Sequence, residues 1–184
     1  MNKVLLLMFL IFFGIKGFSQ EFMGVKPDST KDYVVKQLVK KGLTLDRVEE
    51  TSTSLKGSLN GSPINVYVLN TPKTKLCWKI GVCFEKQTSW SSLKSQYNNL
   101  LQNLTTKYGE PTKSYHFFIS PYDEGDGYEM TGVYVDKCRY VAFFDSVNIV
   151  IKITTLQEIV ISYENEFNSK IDDNEKNEKL SNSL

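Results

Sequence analysis

At 184 residues the chain suits one domain of ordinary size, and a formal charge of +1 argues against a nucleic-acid or anionic-membrane surface, which needs a basic excess. One histidine and three scattered cysteines lack the paired short spacings of a zinc site. No Gly-x-Ser-x-Gly, His-Glu-x-x-His or glycine-rich phosphate loop occurs, and neither a metal nor a cofactor is expected.

Residues 1–20 have the three-part form of a secretory signal peptide: a basic start at Met1-Asn2-Lys3, an apolar run over 4–15, and a polar exit at Gly17-Phe18-Ser19-Gln20. The run is about 12 residues, against the roughly 20 that span a bilayer. Cleavage near Gln20 is expected, with export to the periplasm or beyond and no stable membrane insertion afterwards. Losing Lys3 and Lys16 takes the formal charge from +1 to −1.

The folded domain is expected over residues 21–167. After an extended lead-in, Ser29 can cap a helix with Asp32 three residues on, and Tyr33, Val34, Leu38 and Val39 give it an apolar stripe. Lys40-Lys41-Gly42 suits its end. Four strands follow, over 43–49, 53–59, 63–69 and 75–85. Asn60-Gly61 is a strong hairpin signal because both residues tolerate positive φ. In the fourth strand Leu76, Trp78, Ile80, Val82 and Phe84 point one way and Cys77, Lys79, Gly81 and Cys83 the other.

The strongest pattern spans residues 88–111. Trp90, Leu93, Tyr97, Leu100, Leu101, Leu104 and Tyr108 fall three or four apart, on one helical face. Thr88 or Ser89 can cap it, Gly109 can close it, and Pro111 forbids continuation. Its other face (Ser91, Ser95, Asn98, Asn99, Asn103) reads as wet. Strands are then expected over 113–119, 128–135, 139–144, 148–154 and 158–163, with an acidic loop at Asp123-Glu124-Gly125-Asp126-Gly127. Residues 168–184 are polar enough to form a disordered tail.

Helix, lysine–glycine stop and a set of strands occur twice, over 28–85 and 88–163. This predicts an α+β fold: an antiparallel sheet with two helices on one face, built as a tandem α-β4 repeat.

Candidate chemistry is sparse. Cys77 and Cys83 share a strand, roughly 20 Å apart at about 3.3 Å per residue, too far to bridge. Cys138 can bridge either, or all three can be buried free thiols. His116 sits between Tyr115 and Phe117 in a strand; it can pair with Cys138 or Cys83, and an alternative reading is an envelope hydrolase or thiol-dependent enzyme using Cys138 or His116. The acidic loop has oxygens for a hard cation but lacks the terminal glutamate of the helix-loop-helix calcium motif, and reads as a solvated hairpin. Tyrosine is frequent: Tyr67, Tyr115, Tyr122, Tyr128, Tyr134, Tyr140 and Tyr163 lie on or near strands. Tyr67, Tyr122, Tyr128, Tyr134 and Tyr140 are candidates for an aromatic binding face.

The residues 22–30 (Phe-Met-Gly-Val-Lys-Pro-Asp-Ser-Thr), Leu55-Lys56-Gly57, Trp90-Ser91-Ser92-Leu93, Lys107-Tyr108-Gly109-Glu110-Pro111 and Asp136-Lys137-Cys138-Arg139-Tyr140 resemble a group of small exported bacterial proteins of unknown function. The resemblance covers most of residues 22–163 and implies export, no known enzyme activity and no transferable site. It implies a cysteine at Cys138 with another in the third strand, where Ile64 or Asn65 stands here. In architecture the chain is similar to the tandem helix-on-sheet proteins that inhibit β-lactamases. The expected function is a non-catalytic module that binds a protein or glycan through an exposed sheet face.

Overall fold

The structure is a computed structural model that describes residues 20–181. The expected signal peptide lies outside the described residues, apart from Gln20. The elements run α1 (Lys31–Lys40), β1 (Thr44–Val48), β2 (Ser52–Leu59), β3 (Ser62–Asn70), β4 (Cys77–Phe84), α2 (Trp90–Tyr108), β5 (Lys113–Phe118), α3 (Glu129–Tyr134), β6 (Cys138–Phe144), β7 (Ile149–Ile153), β8 (Ile159–Glu164) and α4 (Glu166–Ser181). Among the described residues the strands form one antiparallel sheet of eight, in the order β1-β2-β3-β4-β8-β7-β6-β5.

One register carries the core. Leu55 lies opposite Val66, Val66 opposite Val82, Val82 opposite Ile161, Ile161 opposite Ile151 and Ile151 opposite Ala142. All six are buried. Side chains alternate along a strand, so this row fixes the inward face of six strands at once. α1 packs against β2 and β3, α2 against β7 and β8.

α2 forms where its periodicity predicts. Ser89 accepts from the Ser92 N–H at 3.2 Å, and Gly109 (φ 87°) closes the end. Leu93, Tyr97, Leu104 and Tyr108 are buried, with Trp90, Leu100 and Leu101 packed at the margin. The β2–β3 hairpin turns at Asn60 and Gly61, with φ of 50° and 82°.

Several expectations fail for reasons visible in the packing. α1 is capped at Thr30 without a side-chain bond. The Ser29 carbonyl instead accepts from the Cys77 N–H at 2.7 Å, tying the lead-in to β4. Only Val34 and Leu38 of its apolar stripe are buried; Tyr33 and Val39 are exposed. Residues 128–135, expected as a strand, contain α3. Its buried residues are Gly132 and Val133. In β4 a register shift opposite Leu69 and Asn70 changes the phase, so Cys77 is buried while Trp78 stands half-exposed. Leu45 lies opposite buried Leu55, but β1 ends the sheet and Leu45 stays half-exposed.

Residues 168–181, within the disordered tail expected over 168–184, instead belong to α4, which packs against β4; 182–184 lie outside the described residues. The inward side of this helix is polar. The Asn168 amide donates to the Cys77 carbonyl at 2.7 Å. Glu175 accepts from the Thr74 hydroxyl at 2.7 Å and from the Thr74 N–H at 3.2 Å, and also caps the Lys73 N–H. Lys176 pairs with buried Asp172 and lies 5.5 Å from the Trp78 ring centre. Backbone hydrogen bonds, not apolar area, hold this helix in place.

Candidate functional site

The sheet's second register carries its exposed rings. On β5 this phase holds Tyr115 and Phe117, 45% and 48% exposed. Tyr115 lies opposite Val141, and Phe117 opposite Arg139, on β6. The Tyr115 ring sits 6.3 Å from that of Phe117 and 6.5 Å from that of Phe143, both edge-on. Val141 and Val150 widen the apolar patch, and Lys113, Lys152 and Arg139 lie in the same phase. Arg139 pairs with Asp136 at 2.9 Å. Among the described residues β5 ends the sheet, and no strand pairs with its outer backbone groups.

The opposite phase of β5 and β6 meets α2. Trp90 packs edge-on against Phe118 and Tyr140, both with ring centres 5.0 Å away. Tyr97 packs against Tyr140 and His116, both at 5.6 Å. The acidic loop is pinned over this cluster. Glu124 accepts from the Tyr140 hydroxyl at 2.7 Å and the Trp90 indole N–H at 3.3 Å, and pairs with Lys94. The hydrogen bonds from Lys94 and then Tyr140 hold the Glu124 carboxyl below its ordinary value. Glu124 is thus a latch between loop and helix. Among the described residues no group of three or more metal-ligating side chains converges.

His116 Nε2 lies 3.3 Å from the Tyr97 hydroxyl and 3.1 Å from the Ser114 hydroxyl. Partial burial, then the nearby Lys94 charge, lowers its pKa and keeps the ring neutral. The three cysteines are free thiols. Burial pushes Cys77 and Cys138 up to about 12 and Cys83 to about 11. A thiol held protonated is a poor nucleophile.

The predicted tyrosines do not gather. Tyr140 is buried, 3% exposed, and belongs to the α2 cluster rather than a binding face. Tyr128 and Tyr134 stand exposed at the two ends of α3, and Tyr122 is half-buried beside Gly132. Tyr67 shares the second register but lies on β3, across the small buried residues Gly81 and Ser162. The cluster that forms, Tyr115 with Phe117 and Phe143, was signalled by the phase of β5 and β6 opposite to His116 and Tyr140.

Fold and surface together define an α+β protein with an eight-stranded antiparallel sheet and an aromatic patch at one edge. No protein-family model, curated protein or solved structure matches the chain. Among the described residues no helix is long and apolar enough to cross a membrane.

Proposed function

We propose that this is an exported, non-catalytic interaction module that binds a partner protein through the second face of its sheet, at the β5–β6 end. The reading takes the chain as two α-β4 halves, α1 with β1–β4 and α2 with β5–β8, meeting along β4 and β8. The strand order, which reads the same inward from either edge, supports this. α1 and α2 then bed on the core face, leaving the other free for contact.

The observation that carries the function is the exposed ring pair Tyr115 and Phe117 on an edge strand. Rigid aromatic side chains supply large contact area at low entropic cost and dominate interface hot spots. The open edge adds backbone donors and acceptors for strand addition. Lys113 and Lys152 in the same phase favour an acidic partner by steering its approach. The leader-like segment at residues 1–20 supports export. The likeness to small exported bacterial proteins, and in architecture to sheet-wrapping enzyme inhibitors, agrees with a binding role, although architecture alone does not assign one. The competing enzyme reading has less support, since the Cys138 thiol is held protonated and His116 is engaged by Tyr97 and Ser114.

A photo-crosslinking residue at position 115, with a control at exposed Tyr33 on α1, tests the proposal in cells. A discrete adduct from 115 that is absent from 33, and lost with Phe117→Asp, is the expected result. Equal labelling from both positions, or none from 115, overturns it.

A further inference from the structure

A cleft of about 510 Å³ opens between α2 and the β2–β3 hairpin, well away from the Tyr115–Phe117 patch. That is within the range of about 300–1,000 Å³ common to small-molecule sites. Gln96, Asn99 and Asn103 of α2 line one wall, at helical spacing, and Asn60 and Ser62 of the hairpin line the other. Leu59 and Leu100, both half-buried, supply apolar surface. None of the described residues lining the cleft is charged. The Gln96 Oε1 is buried and has no hydrogen-bond partner. A second hollow of about 250 Å³ continues the cleft, sharing Leu59, Asn60, Leu100 and Asn103 and reaching Tyr108, and its only charged lining residues among those described, Glu21 and Lys107, pair with each other at 3.2 Å.

This lining selects a chemistry. Each amide both donates and accepts, and each hydroxyl does the same, so the walls match a ligand whose own groups do both. A ligand with a net charge would lose hydration and find no counter-charge in the amide-lined cleft, and only the mutually paired Glu21 and Lys107 in its continuation. A peptide would want a deep apolar anchor, which the amide-rich wall does not offer. Neutral sugars present adjacent hydroxyls on the ring edge and a C–H face for the apolar surface.

We propose that this cleft binds a neutral oligosaccharide, with Gln96, Asn99 and Asn103 as the recognising side chains. The site is independent of the protein-binding face. The test is a titration of ¹⁵N-labelled protein, residues 21–184, with maltotriose, cellotriose and chitotriose, following side-chain amide resonances. A saturable shift of the Gln96, Asn99 and Asn103 amides with at least one sugar is expected. It should disappear in Asn99→Leu, whose side chain is exposed and whose loss leaves the core intact; an unchanged backbone spectrum checks that the variant is folded. Asn98→Leu, on the same helix but outside the cleft lining, should bind as the wild type does. No saturable shift with any of the three sugars overturns the proposal. So do shifts that survive Asn99→Leu, or shifts confined to Tyr115 and its neighbours.

Discussion

The buried Tyr140 hydroxyl donates to the Glu124 carboxylate at 2.7 Å, joining β6 to an acidic loop that otherwise faces solvent. The same carboxylate holds Trp90 and Lys94, so one side chain fixes the loop, the first turns of α2 and β6 together. A cluster of acids that looks like a cation site is thus half spent on internal hydrogen bonds.

Glu124→Gln tests the latch. The folded carboxyl titrates below its ordinary value of 4.5, so its contribution is present above that pH and fades as pH falls through the lower folded value. At neutral pH the variant should lose about 1 kcal/mol or less, because the Lys94 pair is partly exposed. Once the pH is low enough to protonate the folded carboxyl, the two proteins should converge. Urea unfolding at both pH values measures this; a constant gap would show that charge is not involved.

His116 has the same direction at a higher pH. Its pKa is lowered from 6.5, so protonation opposes folding and stability declines as pH falls below that value. His116→Gln, which keeps a polar group beside Tyr97, should flatten the melting-temperature profile between about pH 5 and 7. A profile as steep as that of the wild type would place the titrating group elsewhere.

Gly132 separates propensity from packing. In an exposed helix, alanine in place of glycine is favoured by about 1 kcal/mol. Here a Cβ would meet the Phe118 ring at 3.0 Å and Tyr122 Cβ at 3.2 Å. Gly132→Ala should therefore destabilise, by about 1–3 kcal/mol. Gly132→Ala with Phe118→Leu should recover part of the loss. Chemical denaturation of the single and double variants decides, and a stabilising Gly132→Ala would refute the close contact.

What could be read from the chain follows from how far each signal reaches. α2 declared itself because its apolar spacing, its serine cap and its glycine stop all lie within its own residues. The Asn60-Gly61 hairpin did the same. α3 was hidden because Tyr128, Thr131, Val133, Tyr134 and Val135 favour strands by composition. Cys77 and Trp78 exchanged roles because the shift lies opposite Leu69 and Asn70 on a partner strand, which no single-strand pattern registers. The exposed ring patch was half visible: Tyr115 stood among the tyrosines, but its companions are phenylalanines selected by strand phase.

α4 lacks a hydrophobic signal because polar side chains order it. Its buried side chains are Asn168, Asp172 and Glu175, and Glu175 satisfies the Lys73 and Thr74 N–H groups of the turn before β4. Burial works to raise the Glu175 carboxyl, but those N–H donors and the Thr74 hydroxyl prevail and hold it low. Glu175→Ala leaves these turn donors without their acceptor in a half-buried site, at a cost of about 1–3 kcal/mol. Phe167→Ser on the same helix, where the ring is 71% exposed, should change stability by less than about 0.5 kcal/mol. Hydrogen exchange gives the sharper test. In Glu175→Ala the amides of Lys73 and Thr74 should lose protection while those of Val66 and Val82 keep theirs, because the sheet's central register does not depend on the turn. Unchanged protection at Lys73 and Thr74 would mean that α4 does not hold the turn at all.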